Sequence, residues 1–259
     1  MSKIIGAVEI GTSKAKALIG EVSSSGSVHV VGMAARLNEG MRKGEIVDFR
    51  KAADSVHSAL ADAEKMSGTT VDEVYLAQTG SYLKGRMLRG SASVSSSDNR
   101  VSASDLQRAS EEAKRRQPDN GRTYVHHIRT PILLDGRIVQ DPVGMIGSKI
   151  DLGYWSIDGD DQAIKQALHV ISNYSLDVKD LILSSIASST MMAGPDLRRA
   201  GTLVIDMGAG YHPKEKCGDI DLQGVDSIAS AHTPVPGGVG PMTINTLILN
   251  TLLAAQKLI

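Results

Sequence analysis

Three aliphatic runs open the chain: Lys3 to Ile10 (KIIGAVEI), Ala15 to Val22 (AKALIGEV) and Val28 to Ala34 (VHVVGMA). Short polar joints separate them, Gly11-Thr12-Ser13-Lys14 first and Ser23 to Gly26 (SSSG) second. Aliphatic and β-branched runs with hairpin-length joints predict three strands in an antiparallel meander. Ala52, Val56, Leu60 and Ala63 then recur at the spacing of one helix face. They predict a helix from about Lys51 to Met66, ended by Ser67-Gly68. Glu73 to Thr79 (EVYLAQT) reads as a further, buried strand.

From about Tyr82 to Asp158 the pattern changes. Gly90 to Asn99 (GSASVSSSDN) is polar and flexible in composition. Ser104 with Gln107 forms a capping-box signature that opens a helix to about Gln117. Glu111–Arg115 and Glu112–Arg116 would pair on its wet side. Tyr124 to Leu134 and Met145 to Ile157 read as strands around the turn Leu134-Asp135-Gly136-Arg137, which makes this stretch a small α+β insert. The first pattern resumes after Asp161. Ile164, Leu168 and Ile171 stripe a helix, Asp180 to Leu183 is a short strand, and Ser184 to Ala193 is helical. Gly201 to Met207 (GTLVIDM) is a continuous apolar strand followed by Gly208-Ala209-Gly210. Beyond it, Tyr211 to Gly218 is loop-like, Val225 to Ala231 a modest helix, and Thr233 to Pro241 rich in proline and glycine. A final helix carries Ile244, Leu247, Ile248, Leu252 and Ala255 on one face.

Composition narrows the classes. The 259 residues carry 28 Lys and Arg against 29 Asp and Glu, a net charge of −1. A nucleic-acid binder usually needs a basic surface, so none is expected here. One cysteine, Cys217, cannot form an internal disulfide, which favours a reducing compartment. No secretory signal is visible at the N-terminus, and no run approaches the roughly 20 apolar residues that span a bilayer. A soluble, cytoplasmic chain is expected. With 26 glycines and only 3% aromatic residues, its cores must be aliphatic.

Two elements could carry chemistry. Glu9-Ile10-Gly11-Thr12-Ser13-Lys14 joins two strands through a tight turn with hydroxyls and a cation. Glycine lets backbone approach a phosphate, and the N–H groups, hydroxyls and lysine supply donors. An ordinary hairpin turn would read the same way. Asp206-Met207-Gly208-Ala209-Gly210 places an acid at the end of an apolar strand ahead of two glycines, a favoured place for a nucleotide phosphate or its Mg²⁺. Nearly 200 residues separate the two elements, which suits two halves of one phosphate clamp.

VEIGTSKAKALIGEV (8–22) resembles the first phosphate loop of the actin/Hsp70/sugar-kinase superfamily, and specifically that of the bacterial FtsA family. GMRKGEIVD (40–48), VDEVYLAQTGSYLKG (71–85), DPVGMIGSKID (141–151) and DLILSSIASS (180–189) are similar to further FtsA blocks, in order. The resemblance covers residues 1–208. It implies an α/β fold, with a ribonuclease-H-like subdomain 1A at 1–82 and 159–208 and the FtsA-type 1C insert at 83–158. It also implies ATP with Mg²⁺, actin-like filaments, and FtsZ and other division proteins as partners. The family is peripheral at the inner face of the cell membrane, tethered by a C-terminal amphipathic helix. The phosphate-1 positions would be Gly11, Thr12, Ser13 and Lys14, with Glu9 where Asp is usual. The phosphate-2 positions would be Asp206, Gly208 and Gly210. Glu9 and Asp206 would face Mg²⁺ through water, with Asp206 the candidate for positioning a catalytic water. Tyr211 stands where the family has a threonine.

After residue 210 the resemblance changes. KCGDIDLQGV (216–225) and HTPVPGGVGPMTINTLILNTLLAA (232–255) resemble the C-terminus of FolD, the methylenetetrahydrofolate dehydrogenase/cyclohydrolase family. Residues 209–259 would form a strand-loop-helix unit, with Pro236, Gly237 and Gly240 at folate-side positions. FolD also reads Val-Ile-Asp-Val-Gly upstream, so Val204-Ile205-Asp206 serves both families and marks the changeover. The FtsA resemblance has no counterpart here for subdomain 2B, the adenosine pocket or the membrane helix. FolD's catalytic Tyr and Lys and its NADP loop are likewise unmatched. The expectation is an FtsA-like division protein fused to a FolD tail, with weak or no ATP binding and no hydrolysis. A folate enzyme using NADP and tetrahydrofolate is the alternative, and a chimera with neither activity a third. Self-association through exposed apolar surface stays open.

The remaining candidates carry less. His126-His127 point to opposite faces of an extended segment and lack a third ligand. Cys217 lies near Lys214 and Lys216, an incidental thiol or one with a lowered pKa. Arg115-Arg116 and Arg198-Arg199 read as solvated charge. The last helix carries only Lys257 as a cation, which fits packing better than a membrane surface.

Overall fold

The computed structural model describes residues 3–115 and 118–194, with 196, 197, 211, 212, 217 and 218 beyond them. The elements in chain order are β1 (Lys3–Ile10), β2 (Lys14–Val22), β3 (Val28–Leu37), β4 (Met41–Arg42), β5 (Glu45–Ile46), α1 (Phe49–Ser67) and β6 (Glu73–Gln78). Next come β7 (Leu83–Ser93), α2 (Ala103–Lys114), β8 (Arg122–Arg129), β9 (Ile132–Leu134), β10 (Arg137–Val139) and β11 (Lys149–Asp160). They are followed by α3 (Asp161–Ser172), β12 (Asp177–Leu183), α4 (Ser184–Met192), β13 (Tyr211–His212) and β14 (Cys217–Gly218). The chain divides into two units, with the boundaries after Gly80 and after Ile164.

In the first unit the sheet order is β12-β6-β1-β2-β3. The expected meander is present: β2 runs antiparallel to β1 and to β3. On the other side of β1, β6 pairs with it in parallel and β12 pairs in parallel with β6. β1 is therefore central. A strand buried on both faces must be apolar nearly throughout, which is why it reads as KIIGAVEI rather than as an alternation. Val8 and Ile10 join Ala17, Ile19, Leu76 and, from the helices, Val56, Leu60, Val170 and Ile171 in the main core. Ile5 and Ala7 point the other way, into a smaller cluster with Leu18 and Ala77.

Helix α1 is defined at both ends by its own residues. Asp48 accepts the Lys51 N–H at 3.1 Å as N-cap, and Gly68 stops the helix in the left-handed conformation, its N–H donating to Glu64 O. Its buried face is Ala52, Ala53, Val56, Ala59, Leu60 and Ala63. Four alanines in that stripe let the helix lie close to the sheet.

The second unit is built around β11, which pairs with β7 along nearly its whole length and with β8 and β9 on its other edge. α2 closes one face of this sheet. Leu88, Ala92, Val101, Ala109, Ala113, Ile132, Leu134, Ile150, Leu152 and Tyr154 form its core. The helix approaches so closely at Gly90 that any side chain there would meet the Ala109 carbonyl and the Ala113 amide.

Several readings of this insert need correction. Residues 90–93 are not flexible but continue β7. Leu88, Gly90 and Ala92 face inward while Arg89, Ser91 and Ser93 face out, and the polar outward set hides the strand period. The capping box is Ser102 with Asp105, not Ser104 with Gln107, and α2 ends at Lys114. On its surface Arg115 pairs with Glu112, and Gln107 rather than Arg115 bonds Glu111. Arg116 and Gln117 lie outside the described residues. The 124–134 run is two strands, broken at Thr130-Pro131 where proline has no N–H for the ladder. The Asp135-Gly136 turn joins β9 to β10, and both turn residues have positive φ, 48° and 81°. β11 begins at Lys149 rather than Met145, because residues 141–148 form turns that bond back to Val101 and Asn99.

Tyr211 to Gly218, read as a loop, contains a two-residue antiparallel ladder, Tyr211 opposite Gly218 and His212 opposite Cys217. The expected strand at 201–207 and the helices at 225–231 and beyond 241 lie outside the described residues.

Candidate functional site

The β1–β2 register places Ile10 opposite Ala15 and Glu9 opposite Lys16, so the connecting turn is Gly11-Thr12-Ser13-Lys14. Gly11 N–H donates to the Lys14 carbonyl at 3.1 Å, closing the hairpin. A Cβ on Gly11 would stand 2.7 Å from that same oxygen, so the turn requires glycine for space. Thr12, Ser13 and Lys14 are exposed. Their hydroxyls and ammonium group are carried on a rigid tip rather than on a free loop.

Two neighbours supply that rigidity. Buried Asn38, just after β3, donates from Nδ2 to the Gly11 carbonyl at 3.0 Å and accepts the Gly40 N–H at Oδ1, also at 3.0 Å. Its own N–H donates to the Ser13 carbonyl. The β4–β5 hairpin turns through Lys43 and Gly44, and the Gly44 N–H donates to Thr12 Oγ1 at 3.0 Å. Thr12 therefore has one oxygen lone pair engaged before any ligand arrives.

Glu9 lies one residue before the end of β1, only 7% exposed. Its Oε2 accepts from Lys16 Nζ at 2.7 Å, and its Oε1 accepts from Ser184 Oγ at 3.2 Å. Ser184 opens α4 directly after β12, whose last residue, Leu183, is paired with Gln78 at the end of β6. Glu9, Gln78 and Ser184 thus gather at the carboxyl ends of three parallel strands, the edge at which open α/β sheets take ligands. Each Glu9 carboxylate oxygen thus carries one protein hydrogen bond, one of them from a cation.

The other candidate positions fall elsewhere. Asp206, Gly208, Gly210, Pro236, Gly237 and Gly240 lie outside the described residues, as do Lys214, Lys216, Arg198 and Arg199. His126 and His127 stand opposite Ile157 and Ser156 on successive positions of β8. His127 packs against Tyr124 with ring centres 4.1 Å apart and planes tilted by 36°, and burial together with nearby Lys114 holds its pKa below the ordinary imidazole value. Among the described residues no cluster of three or more His, Cys, Asp or Glu could hold a metal ion. Nor is any helix among them long and apolar enough to cross a membrane.

Asn38, Lys16 and Ser184 did not figure among the sequence candidates. Lys16 could have been found by counting back from the turn, since a two-residue tip at Thr12-Ser13 dictates Glu9 opposite Lys16. Asn38 and Ser184 leave no such trace, because their contacts span 27 and 175 residues.

This sheet, a meander with two parallel strands added beside its first strand and an α+β unit inserted after β6, defines an actin-like, ribonuclease-H-like α/β fold. Residues 80–157 match the family described as the SHS2 domain inserted in FtsA. The cell division protein FtsA of Borreliella burgdorferi is 26% identical over 208 residues, 80% of this chain and 50% of that protein. FtsA of Escherichia coli K12 is 28% identical over 209 residues, covering 80% and 49%. The chain spans about half the length of these curated relatives. Residues 164–259 match the tetrahydrofolate dehydrogenase/cyclohydrolase NAD(P)-binding domain family. Among solved structures, the PilM–PilN type IV pilus biogenesis complex aligns over 73% of this chain and 50% of that one, with a TM-score of 0.47 and 17% identity. Residues 1–208 resemble FtsA and the C-terminal segment resembles FolD, the pattern of a chimera. The folate-family match opens at residue 164, upstream of the shared Val204-Ile205-Asp206, so the two likenesses overlap.

Proposed function

We propose that the chain is an FtsA-like division-protein segment carrying a FolD-like tail at 209–259, with the 1A-type part at 1–82 and 159–208 and the 1C-type insert at 83–158. The observation that carries this reading is the braced Gly11–Lys14 hairpin at the ligand edge of the sheet. Its rigid tip suits a phosphate, and ATP is the ligand that the FtsA likeness supplies. Affinity for Mg·ATP is low, since Glu9 is tied to Lys16 and Ser184 and Thr12 to Gly44. Asp206, Gly208 and Gly210 are the second phosphate element of this reading. FtsZ and other division proteins are its partners, met through the 1C-type insert.

Titration of the purified chain with Mg·ATP tests the nucleotide part, with no saturation expected below the millimolar range; micromolar affinity overturns it. Co-sedimentation with polymerised FtsZ tests the division part, and the absence of any binding counts against it.

A second reading rests on the folate-family match over 164–259. Under it the tail presents Pro236, Gly237 and Gly240 to tetrahydrofolate, with NADP as cosubstrate. Turnover of methylenetetrahydrofolate with NADP, followed by absorbance, would place this reading first.

A further inference from the structure

The turn that leads into β8 carries a chemical instability. Of the chain's six asparagines only Asn120 is followed by glycine. Asparagine deamidates when the main-chain nitrogen of the next residue attacks its Cγ. The reaction needs a free side chain, a free nitrogen and room around both. Asn120 and Gly121 are exposed, and among the described residues neither the Asn120 side chain nor the Gly121 N–H makes a hydrogen bond. A Cβ at Gly121 would meet nothing within 4 Å, so open space surrounds the attacking nitrogen.

The other described asparagines are protected. The Asn38 side chain is buried and bonded at both ends, to the Gly11 carbonyl and the Gly40 N–H. At Asn99 the attacking nitrogen would belong to Arg100, whose N–H donates to Asp98 Oδ1 at 3.2 Å. At Asn173 it would belong to Tyr174, whose N–H donates to the Ile171 carbonyl at 3.2 Å.

We propose that Asn120–Gly121 is a spontaneous modification site of the folded chain, and that its main product, isoaspartate, opens the turn that brings Arg122 to Asp158. The Gly121 nitrogen bonds to Asn120 Cγ as its proton passes to solvent base. The Cγ–Nδ2 bond breaks, ammonia leaves, and a five-membered succinimide closes. Water then opens the ring at either carbonyl. Attack at the Asn120 main-chain carbonyl gives isoaspartate, whose chain runs through Cβ, and attack at Cγ gives aspartate. One water enters, one ammonia leaves, one negative charge is gained and nothing is oxidised.

The inserted chain carbon falls inside the turn. The Arg122 N–H donates to the Asp119 carbonyl at 3.1 Å across it, and the Asp161 N–H donates to the Gly121 carbonyl at 3.0 Å. Lengthening the main chain between residues 119 and 122 strains the first of these bonds directly. Arg122, whose guanidinium pairs with buried Asp158, is carried away with it.

The full chain is aged at 37 °C and mildly alkaline pH in H₂¹⁸O, then digested with trypsin in ordinary water. Mass spectrometry with electron-transfer fragmentation reads the tryptic peptide 117–122. The ¹⁸O label separates conversion in the native chain from conversion during digestion. Asn120 should convert about tenfold faster than Asn99 or Asn173, mainly to isoaspartate with one ¹⁸O, and about as fast as in the urea-unfolded chain. Asn120→Gln, whose ring would need six atoms, should stay unconverted. By circular dichroism the aged parent should melt a few degrees below the fresh protein, in proportion to its isoaspartate. Asn120→Asp adds the charge without the chain carbon and should melt close to the fresh parent.

Native conversion tenfold slower than in urea means that the fold protects the turn, and it overturns the site. So does conversion no faster than at Asn99. Conversion with an unchanged melting temperature overturns the opening of the turn, as does an equal loss in fresh Asn120→Asp.

Discussion

Ser102 and Asp105 cap α2 reciprocally: the Ser102 backbone N–H donates to Asp105 Oδ2 at 2.9 Å, and the Asp105 N–H donates to Ser102 Oγ at 3.4 Å. Asp105 also accepts from the Ser95 N–H and hydroxyl and from Arg108. The side chain is fully buried, and the capping interaction is one knot in a tertiary network.

Those donors, with the Ser102 hydroxyl and N–H foremost, then Ser95 and Arg108, hold the Asp105 carboxyl far below the ordinary carboxylate range. A depressed native pKa means that the unfolded chain takes up the proton first as pH falls. The stabilisation is therefore complete above about pH 4, where an unfolded aspartate ionises, and is lost progressively below it. Asp105→Asn should lower the melting temperature at neutral pH by several degrees and flatten its fall between pH 5 and 2. Melts followed by circular dichroism across that range check both. An acid limb as steep in the variant as in the parent would remove Asp105 as its source.

The same capping box shows how far local pattern reaches. Residues 102–107 read SASDLQ, and either serine could open a helix. Contact with Ser95, seven residues upstream of Ser102, selects Ser102 and Asp105. Local windows carry no such information. By contrast β1, α1 and α3 announce themselves, because one-sided or two-sided burial imprints its period directly on the residues. The candidate site divides the same way. Gly11 and Lys14 stand out as turn residues, and the Glu9–Lys16 pairing follows from the hairpin register. Ser184 reaches Glu9 only because β12 is laid beside β6 and β6 beside β1, a consequence of strand order.

Tyr82 gives the opposite pH signature. Burial pushes its phenol up to about 12, from an ordinary 10. The fold favours the neutral phenol, so this contribution is fully present below pH 10. It is lost as pH rises from 10 toward 12, by roughly 3 kcal/mol when the shift is fully expressed. Tyr82→Phe carries no ionisable proton and should keep its stability over that interval while the parent declines. Urea unfolding at a series of alkaline pH values measures it, and parallel declines in the two proteins would show that Tyr82 is not the responsible group.

Asp158 near the end of β11 is 1% exposed and lies between two guanidinium groups. Arg86 Nε and Nη2 approach its Oδ2 at 3.0 and 2.8 Å, and Arg122 Nε donates to Oδ1. Arg122 is held further by the Tyr82 and Asp158 carbonyls, each at 2.9 Å, whereas Arg86 has the exposed Asp119 as a second, longer partner. The two arginines are thus unequal. Removing the shared carboxylate leaves both without their buried counter-charge, and Asp158→Asn should cost about 3–5 kcal/mol. Arg86→Met should cost less, since Arg122 still neutralises Asp158 and the methionine can cover the apolar surface that the arginine stem covered. Urea denaturation with an unchanged m-value measures both losses. If Arg86→Met is as damaging as Asp158→Asn, the two arginines act as one unit, and the assignment of Arg122 as the principal partner fails.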